Sequence, residues 1–176
     1  NFCNLNILGN ICQNDCFLYF LQSIPKTIEV LNLGSICYFH LRIGTIPNLE
    51  IYTSYISDTL QELTYLKELF WNMYIDQHIV NSWYFLQNLT HLICNRSFIH
   101  HGILQHFPYL PNLTHIHISS IYSNSIIHIL RNLPPGLTTI RFHHIFFSDK
   151  AIKYLYSLIS NQHSLRVLEI SESNLE

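Results

Sequence analysis

Apolar residues recur along the chain in one short pattern: an apolar position, two variable ones, an apolar one, one variable, and another apolar one. It is plainest in the segments that begin at Asn88-Leu-Thr-His-Leu92, Asn112-Leu-Thr-His-Ile116, Gly136-Leu-Thr-Thr-Ile140 and Ser164-Leu-Arg-Val-Leu168. Taking the first apolar residue as origin gives Leu89, Leu113, Leu137 and Leu165, spaced by 24, 24 and 28 residues. The same template fits Leu66, Leu69 and Trp71, then Ile28, Leu31 and Leu33, and Phe2, Leu5 and Ile7; Leu49, Tyr52 and Ser54 form a degenerate copy. Apolar-x-apolar alternation sends two side chains to one face of a short strand and the intervening residues to the other. Each copy therefore predicts a strand, and roughly eight copies cover residues 1–176.

The segments between these strands carry helical signals. Ser148-Asp149 caps a helix over Lys150 to Ser160, with Ile152, Leu155, Tyr156 and Ile159 at helical spacing. Ser123-Asn124-Ser125 opens another over Ile126 to Asn132, closed by Pro134-Pro135-Gly136. Asp76 to Gln87 and Asp15 to Ser23 read as two more. Pro25, Pro47, Pro111 and Pro134 each stand shortly before a strand, where proline stops the preceding helix and favours extended backbone. Strand and returning segment in alternation place successive strands side by side and parallel. A single copy cannot bury its apolar face, so the core must form between neighbours. Neither end of the chain shows the polar cap that terminal repeats need, which predicts a fragment of a longer array.

These residues resemble the leucine-rich repeat, L-x-x-L-x-L-x-x-N/C-x-L over 20–29 residues. The stretch Ile24–Gly34 also resembles the FNIP-type repeat. The resemblance implies an α/β fold: a leucine-rich-repeat solenoid, or horseshoe, with a parallel concave sheet and convex helices or irregular segments, of the ribonuclease-inhibitor-like type. One position departs from the family. The Asn or Cys at the ninth place is present only as Asn10, and the other copies carry Ile36, Ser57, Tyr74, Ser97, Ile121, Ile145 and Ser173. A less regular and less stable stack is the expected consequence.

Within this template, positions two, four and six after each origin line the concave sheet. They are Glu68, Phe70 and Asn72; His91, Ile93 and Asn95; His115, His117 and Ser119; Thr139, Arg141 and His143; and Val167, Glu169 and Ser171. Earlier copies add Asn4, Asn6 and Leu8, Val30, Asn32 and Gly34, and Ile51, Thr53 and Tyr55. Glu68, Phe70, Asn72, His91, Ile93, His115, His117, Arg141, His143 and Glu169 are the expected partner-binding residues, because aromatic and Arg side chains commonly anchor interfaces.

Composition sharpens this picture by exclusion. Charged residues make up only 11% against a usual quarter or so, and the net charge is -2, so no basic surface points to nucleic acid. The longest apolar run, Cys16 to Leu21, is six residues, far short of the roughly 18–20 of a membrane span. Five Cys without paired spacing favour a reducing, cytoplasmic setting, and Cys94 takes an inward position of its strand. Cys12 and Cys16 lack the second pair that a metal site would use. Asn88, Asn95 and Asn112 head glycosylation sequons, but two of these coincide with the repeat itself. No phosphate loop, paired-carboxylate motif, G-x-S-x-G or HExxH occurs, which argues against an enzyme.

The expected function is therefore a protein-interaction module that engages a protein partner on its concave face, with no cofactor. The resemblance implies more narrowly the substrate-receptor part of an F-box-type ubiquitin ligase adaptor, or an intracellular sensor. Two alternatives follow from other features. His91, His115 and His117 fall on neighbouring strands and offer imidazoles for a metal-dependent or enzyme-accessory site, although ladder neighbours point outward in parallel rather than converging. An extracellular receptor array would instead require the cysteines to pair. His100-His101 and His143-His144 fall at strand ends or in loops and carry no reading of their own.

Overall fold

A computed structural model of the protein describes residues 3–7, 15–33, 49–72, 77–94, 109–121 and 123–173. In chain order the elements are β1 (Asn4–Ile7), α1 (Asp15–Gln22), β2 (Val30–Leu33), α2 (Leu49–Glu62), β3 (Glu68–Trp71), α3 (Gln77–Ser82, running into a 3-10 turn at Trp83–Phe85), β4 (His91–Cys94), β5 (His115–Ser119), α4 (Ser123–Asn132), β6 (Thr139–His143), α5 (Asp149–Asn161) and β7 (Val167–Ser171). The strands form one seven-stranded sheet in the order β1 to β7, and every neighbouring pair is parallel. The class is mixed α/β.

The register of this sheet follows the apolar pattern. One ladder runs Leu5, Leu31, Leu69, Leu92, Ile116, Ile140 and Leu168, and a second runs Ile7, Leu33, Trp71, Cys94, Ile118, Phe142 and Ile170. From β2 to β6 both rows are buried, with Trp71 and Phe142 wholly enclosed. Each Leu, Ile or Phe so buried contributes about 1.5–3 kcal/mol. A slip of one residue would turn the whole apolar set outward, so the pattern determines the pairing.

A tight turn delivers the chain into several strands. The N–H of Ile28 donates to the Pro25 carbonyl, and the same three-residue step joins Leu66 to Leu63, Leu89 to Leu86 and Leu113 to Leu110, at 3.0–3.1 Å. Leu63, Leu86 and Leu110 are buried at this step. Ahead of β7 the corresponding residue is Gln162, also buried, whose Nε2 donates to the Pro134 carbonyl at 2.7 Å.

Helices cover the apolar face of the sheet. Ser148 is extended and its Oγ accepts from the Ala151 N–H at 3.4 Å, so α5 starts at the expected cap, with Asp149 favourably placed in its first turn. Ala151, Leu155 and Leu158 are its buried stripe. Helix α4 begins at Ser123, three residues ahead of the expected start, and packs against α5; the Arg131 guanidinium lies 4.5 Å over the Tyr154 ring between them. Helices α1 and α3 occupy the expected segments, and α3 gives way to its 3-10 turn before Gln87.

One expected strand is absent. Residues 49–55, read as a degenerate copy of the repeat, open the 14-residue helix α2, and β2 pairs directly with β3. Ile56 and Leu60 are buried on this helix at i, i+4 spacing, and Leu63, just past its end, is buried beside them. The strand template begins with apolar residues three apart, a spacing that helices share, so Leu49 and Tyr52 satisfied both patterns. Ile51, Thr53 and Tyr55 consequently belong to a helix and not to the sheet face. Seven strands, rather than eight, make up the sheet of the described residues.

Candidate functional site

The face of the sheet away from the buried ladders is where ten candidate residues were expected. Glu68 and Phe70 project from β3, with Asn72 just past its end. His91 and Ile93 come from β4, His115 and His117 from β5, Arg141 and His143 from β6, and Glu169 from β7. All are half-buried except Arg141 and Glu169, which are exposed. The burial alternation along β2, β3 and β4 confirms the two-sidedness: each outward residue is half-buried and each inward one buried.

Register gathers these residues into rows. The first reads Val30, Glu68, His91, His115, Thr139 and Val167; the second reads Asn32, Phe70, Ile93, His117, Arg141 and Glu169. A third, shorter row aligns Ser119, His143 and Ser171 on the last three strands. Two expected members of the face are buried instead. Ser119 donates to the Cys94 carbonyl at 3.4 Å, and Thr139 retains only 8% of its surface. Leu8, Gly34, Asn95, Asn10, Cys12 and His100-His101 lie outside the described residues.

Within the first row, His91 and His115 stack face to face, their ring centroids 4.1 Å apart and their planes 14° from parallel. The preceding threonines hold them. Thr90 Oγ1 lies 2.9 Å from the Lys67 carbonyl and 2.9 Å from His91 Nδ1; Thr114 Oγ1 lies 3.1 Å from the Thr90 carbonyl and 2.9 Å from His115 Nδ1. A hydroxyl has one proton, and a carbonyl can only accept, so each hydroxyl accepts from its imidazole. Nδ1 then carries the hydrogen on both rings. In the neutral state each Nε2 is left as an acceptor, and protonation turns it into a donor. These threonines were not among the expected site residues. Their signal was the Leu-Thr-His repetition itself.

Burial lowers the His115 pKa, as do the adjoining His91 and Arg141, against a smaller opposing pull from Glu68. His117 is lowered by burial first, then by Arg141 and His143, with Glu169 opposing. Arg141 is held by Glu169 across the ladder, Nε to Oε2 at 3.1 Å, an exposed pair worth well under about 1 kcal/mol. The two rows together thus carry polar, apolar and charged groups, with His91 and His115 side by side in the first and Phe70, Ile93, His117, Arg141 and Glu169 in succession in the second. They can meet a partner's donors, a carboxylate and a hydrophobic side chain over one continuous surface.

Two of the sequons, at Asn88 and Asn112, also find a structural explanation. Asn88 Nδ2 donates to the Thr64 carbonyl and Asn112 Nδ2 to the Gln87 carbonyl, each at 2.8 Å. Thr90, Thr114 and Thr138 repeat the step with donations to the preceding copy. Side-chain ladders therefore tie copy to copy at the start of the strands. At the ninth position, Ser173 Oγ accepts from the Ile145 N–H at 3.0 Å and donates to the Ser171 carbonyl, a local substitute for asparagine. Ile121 and Ile145, at the same position in earlier copies, are buried apolar residues.

Past the ends of β5, β6 and β7, one residue in each turns into the left-handed region: Ser120 at φ 61°, His144 at φ 51° and Glu172 at φ 49°. All three stand seven places after a repeat origin, one beyond the positions from which the face was read. His144 Nε2 lies 2.7 Å from Glu172 Oε2, and His143 Nε2 lies 3.9 Å from Glu172 Oε1. Among the described residues, these three form the one group of His, Cys, Asp and Glu that could hold a metal ion; His91, His115 and His117 do not. Cys94 is buried, and burial pushes its thiol pKa far above the usual range.

Comparison of the chain with protein-family models, with curated proteins and with solved structures gives no match in any of the three. No helix of the described residues is long and apolar enough to cross a membrane.

Proposed function

We propose that this chain is a leucine-rich-repeat-like solenoid that docks a protein partner on the open face of its sheet. The observation that supports this most is the register. Seven parallel strands in chain order align equivalent template positions, so side chains spread over more than a hundred residues of sequence form two continuous rows. Such an arrangement follows from stacked units that each contact their neighbours. The rows hold an aromatic residue, an arginine, three histidines and two glutamates, a mixture suited to a protein surface rather than to a small molecule.

The reading is a binding module and not an enzyme, working in a reducing, cytoplasmic setting. Its narrower form is the substrate-receptor part of an F-box-type ubiquitin ligase adaptor, which rests on the likeness of the repeat pattern alone. Affinity purification with the whole chain, followed by identification of the recovered proteins, tests the module. A specific partner should be retained by the wild type and lost on combining Phe70→Ala, His117→Glu and Arg141→Glu. Recovery that is equal from the triple variant would refute the placement of the binding face. Co-recovery of ubiquitin ligase subunits in the same purification tests the narrower form.

A further inference from the structure

Consecutive residues of a strand project to opposite faces, so two neighbouring histidines do not ordinarily share a ligand. The bend after β6 removes that restriction. His144 adopts φ 51°, and its ring comes edge-on to that of His143, with centroids 4.5 Å apart and planes at 74°. The equivalent bend after β7 places Glu172 beside them, one carboxylate oxygen toward each ring. One ligand atom from each of the three residues lies within 4.8 Å of the other two.

We propose that His143, His144 and Glu172 form a surface site for a divalent transition cation of the zinc class, with solvent completing the coordination. Two imidazoles and a carboxylate suit zinc and its borderline neighbours, whereas magnesium and calcium require shells of oxygen. Metal–ligand bonds of about 2.0–2.2 Å set tetrahedral ligand atoms about 3.4 Å apart. Here His144 Nε2 lies 2.7 Å from Glu172 Oε2, His143 Nε2 lies 3.9 Å from Oε1, and one ligand atom of each residue lies within 4.8 Å of the others, so the donors need to move by about an ångström to reach that spacing. Ser120 makes the same bend without offering a ligand. The bend therefore belongs to the strand ends, and the metal chemistry to the residues that β6 and β7 happen to place on it.

The competing account is a plain hydrogen bond between His144 and Glu172, which becomes an ion pair only when the imidazole carries a proton. All three side chains are open to solvent, with 35%, 55% and 61% of their surface accessible for His143, His144 and Glu172. An ion pair that exposed contributes little, and it accounts for neither the second imidazole nor the convergence of three donors. The site lies at the edge of the open sheet face and does not depend on a partner docking there.

Calorimetric titration of the whole purified chain with zinc chloride, and separately with magnesium chloride, decides between the two. His144→Asn and Glu172→Asn each remove a ligand while keeping a residue that tolerates left-handed backbone. His144→Gly serves as a second variant, and circular dichroism checks that each variant is folded. The wild type should take up zinc saturably at this site in the presence of excess magnesium. Affinity should drop at least about tenfold in all three variants and stay unchanged in His115→Asn. No saturable zinc uptake, wild-type affinity retained in His144→Asn and Glu172→Asn, or a loss in His115→Asn as large as theirs would each overturn the assignment.

Discussion

Replacing Ile140 and Leu168 with alanine, one at a time, isolates what a flanking strand contributes to this architecture. The two residues are ladder partners in β6 and β7 and occupy the same template position. Ile140 is fully buried between β5 and β7, whereas Leu168, on the last strand, keeps 40% of its surface exposed. Each substitution removes three carbons' worth of side chain, a transfer loss of about 2.4 kcal/mol when the group is wholly buried. At Ile140 a cavity remains in a packed interior, which raises the expected cost to about 3–4 kcal/mol. At Leu168 the partial exposure reduces the transfer loss to about 1.5 kcal/mol, and an open edge leaves little cavity. Urea unfolding followed by circular dichroism measures both, and the difference should be about 2 kcal/mol. In thermal scans it corresponds to a Tm drop of roughly 10 °C against 4 °C for a chain of this size. Equal costs at the two positions would show that β7 is covered as completely as β6, and would refute the reasoning from the edge.

Two further outcomes follow from the titratable groups. His115 and His117 are held below the usual histidine range, so in the pH interval below about 6.5 the unfolded chain binds protons that the native state does not. Stability should therefore decline as pH falls from about 7.5 to 5.5, and the decline in the urea midpoint should shrink in a His115→Gln, His117→Gln double variant; an undiminished decline would place the effect on other histidines. Cys94 is buried and its thiol pKa is raised, so brief iodoacetamide treatment followed by peptide mass mapping should leave it unlabelled in the native protein and label it in urea. Equal labelling in both conditions would contradict its place in the core.

Much of the candidate site was legible because strand periodicity and face are the same information. Once Leu69, Leu92, Ile116 and Ile140 are taken as inward, Phe70, Ile93, His117 and Arg141 must point the other way. The strand-end cluster was not legible in that way. Nothing local in His143-His144 announces that the second residue bends into the left-handed region, and Glu172 is 28 residues from His144. Thr90 and Thr114 were visible in the repetition, yet their role needed the distances that pair each hydroxyl with a carbonyl of the preceding copy.

Of the eight strands that the apolar pattern predicts, seven form, and the sequence by itself determined where these lie, most of their inward and outward residues, and the helices α1, α3, α4 and α5 to within a few residues. Apolar periodicity suffices for these, since burying one face at a two-residue period leaves a strand no other arrangement. Tertiary structure alone decided three things. It resolved residues 49–62, whose apolar spacing fits strand and helix alike, as a helix with Ile56 and Leu60 buried, while β2 pairs directly with β3. It buried Ser119 and Thr139, which alternation places outward. And it brought His143, His144 and Glu172 within reach of one another, because the convergence of donors depends on backbone bends and on neighbouring strands that no local pattern encodes.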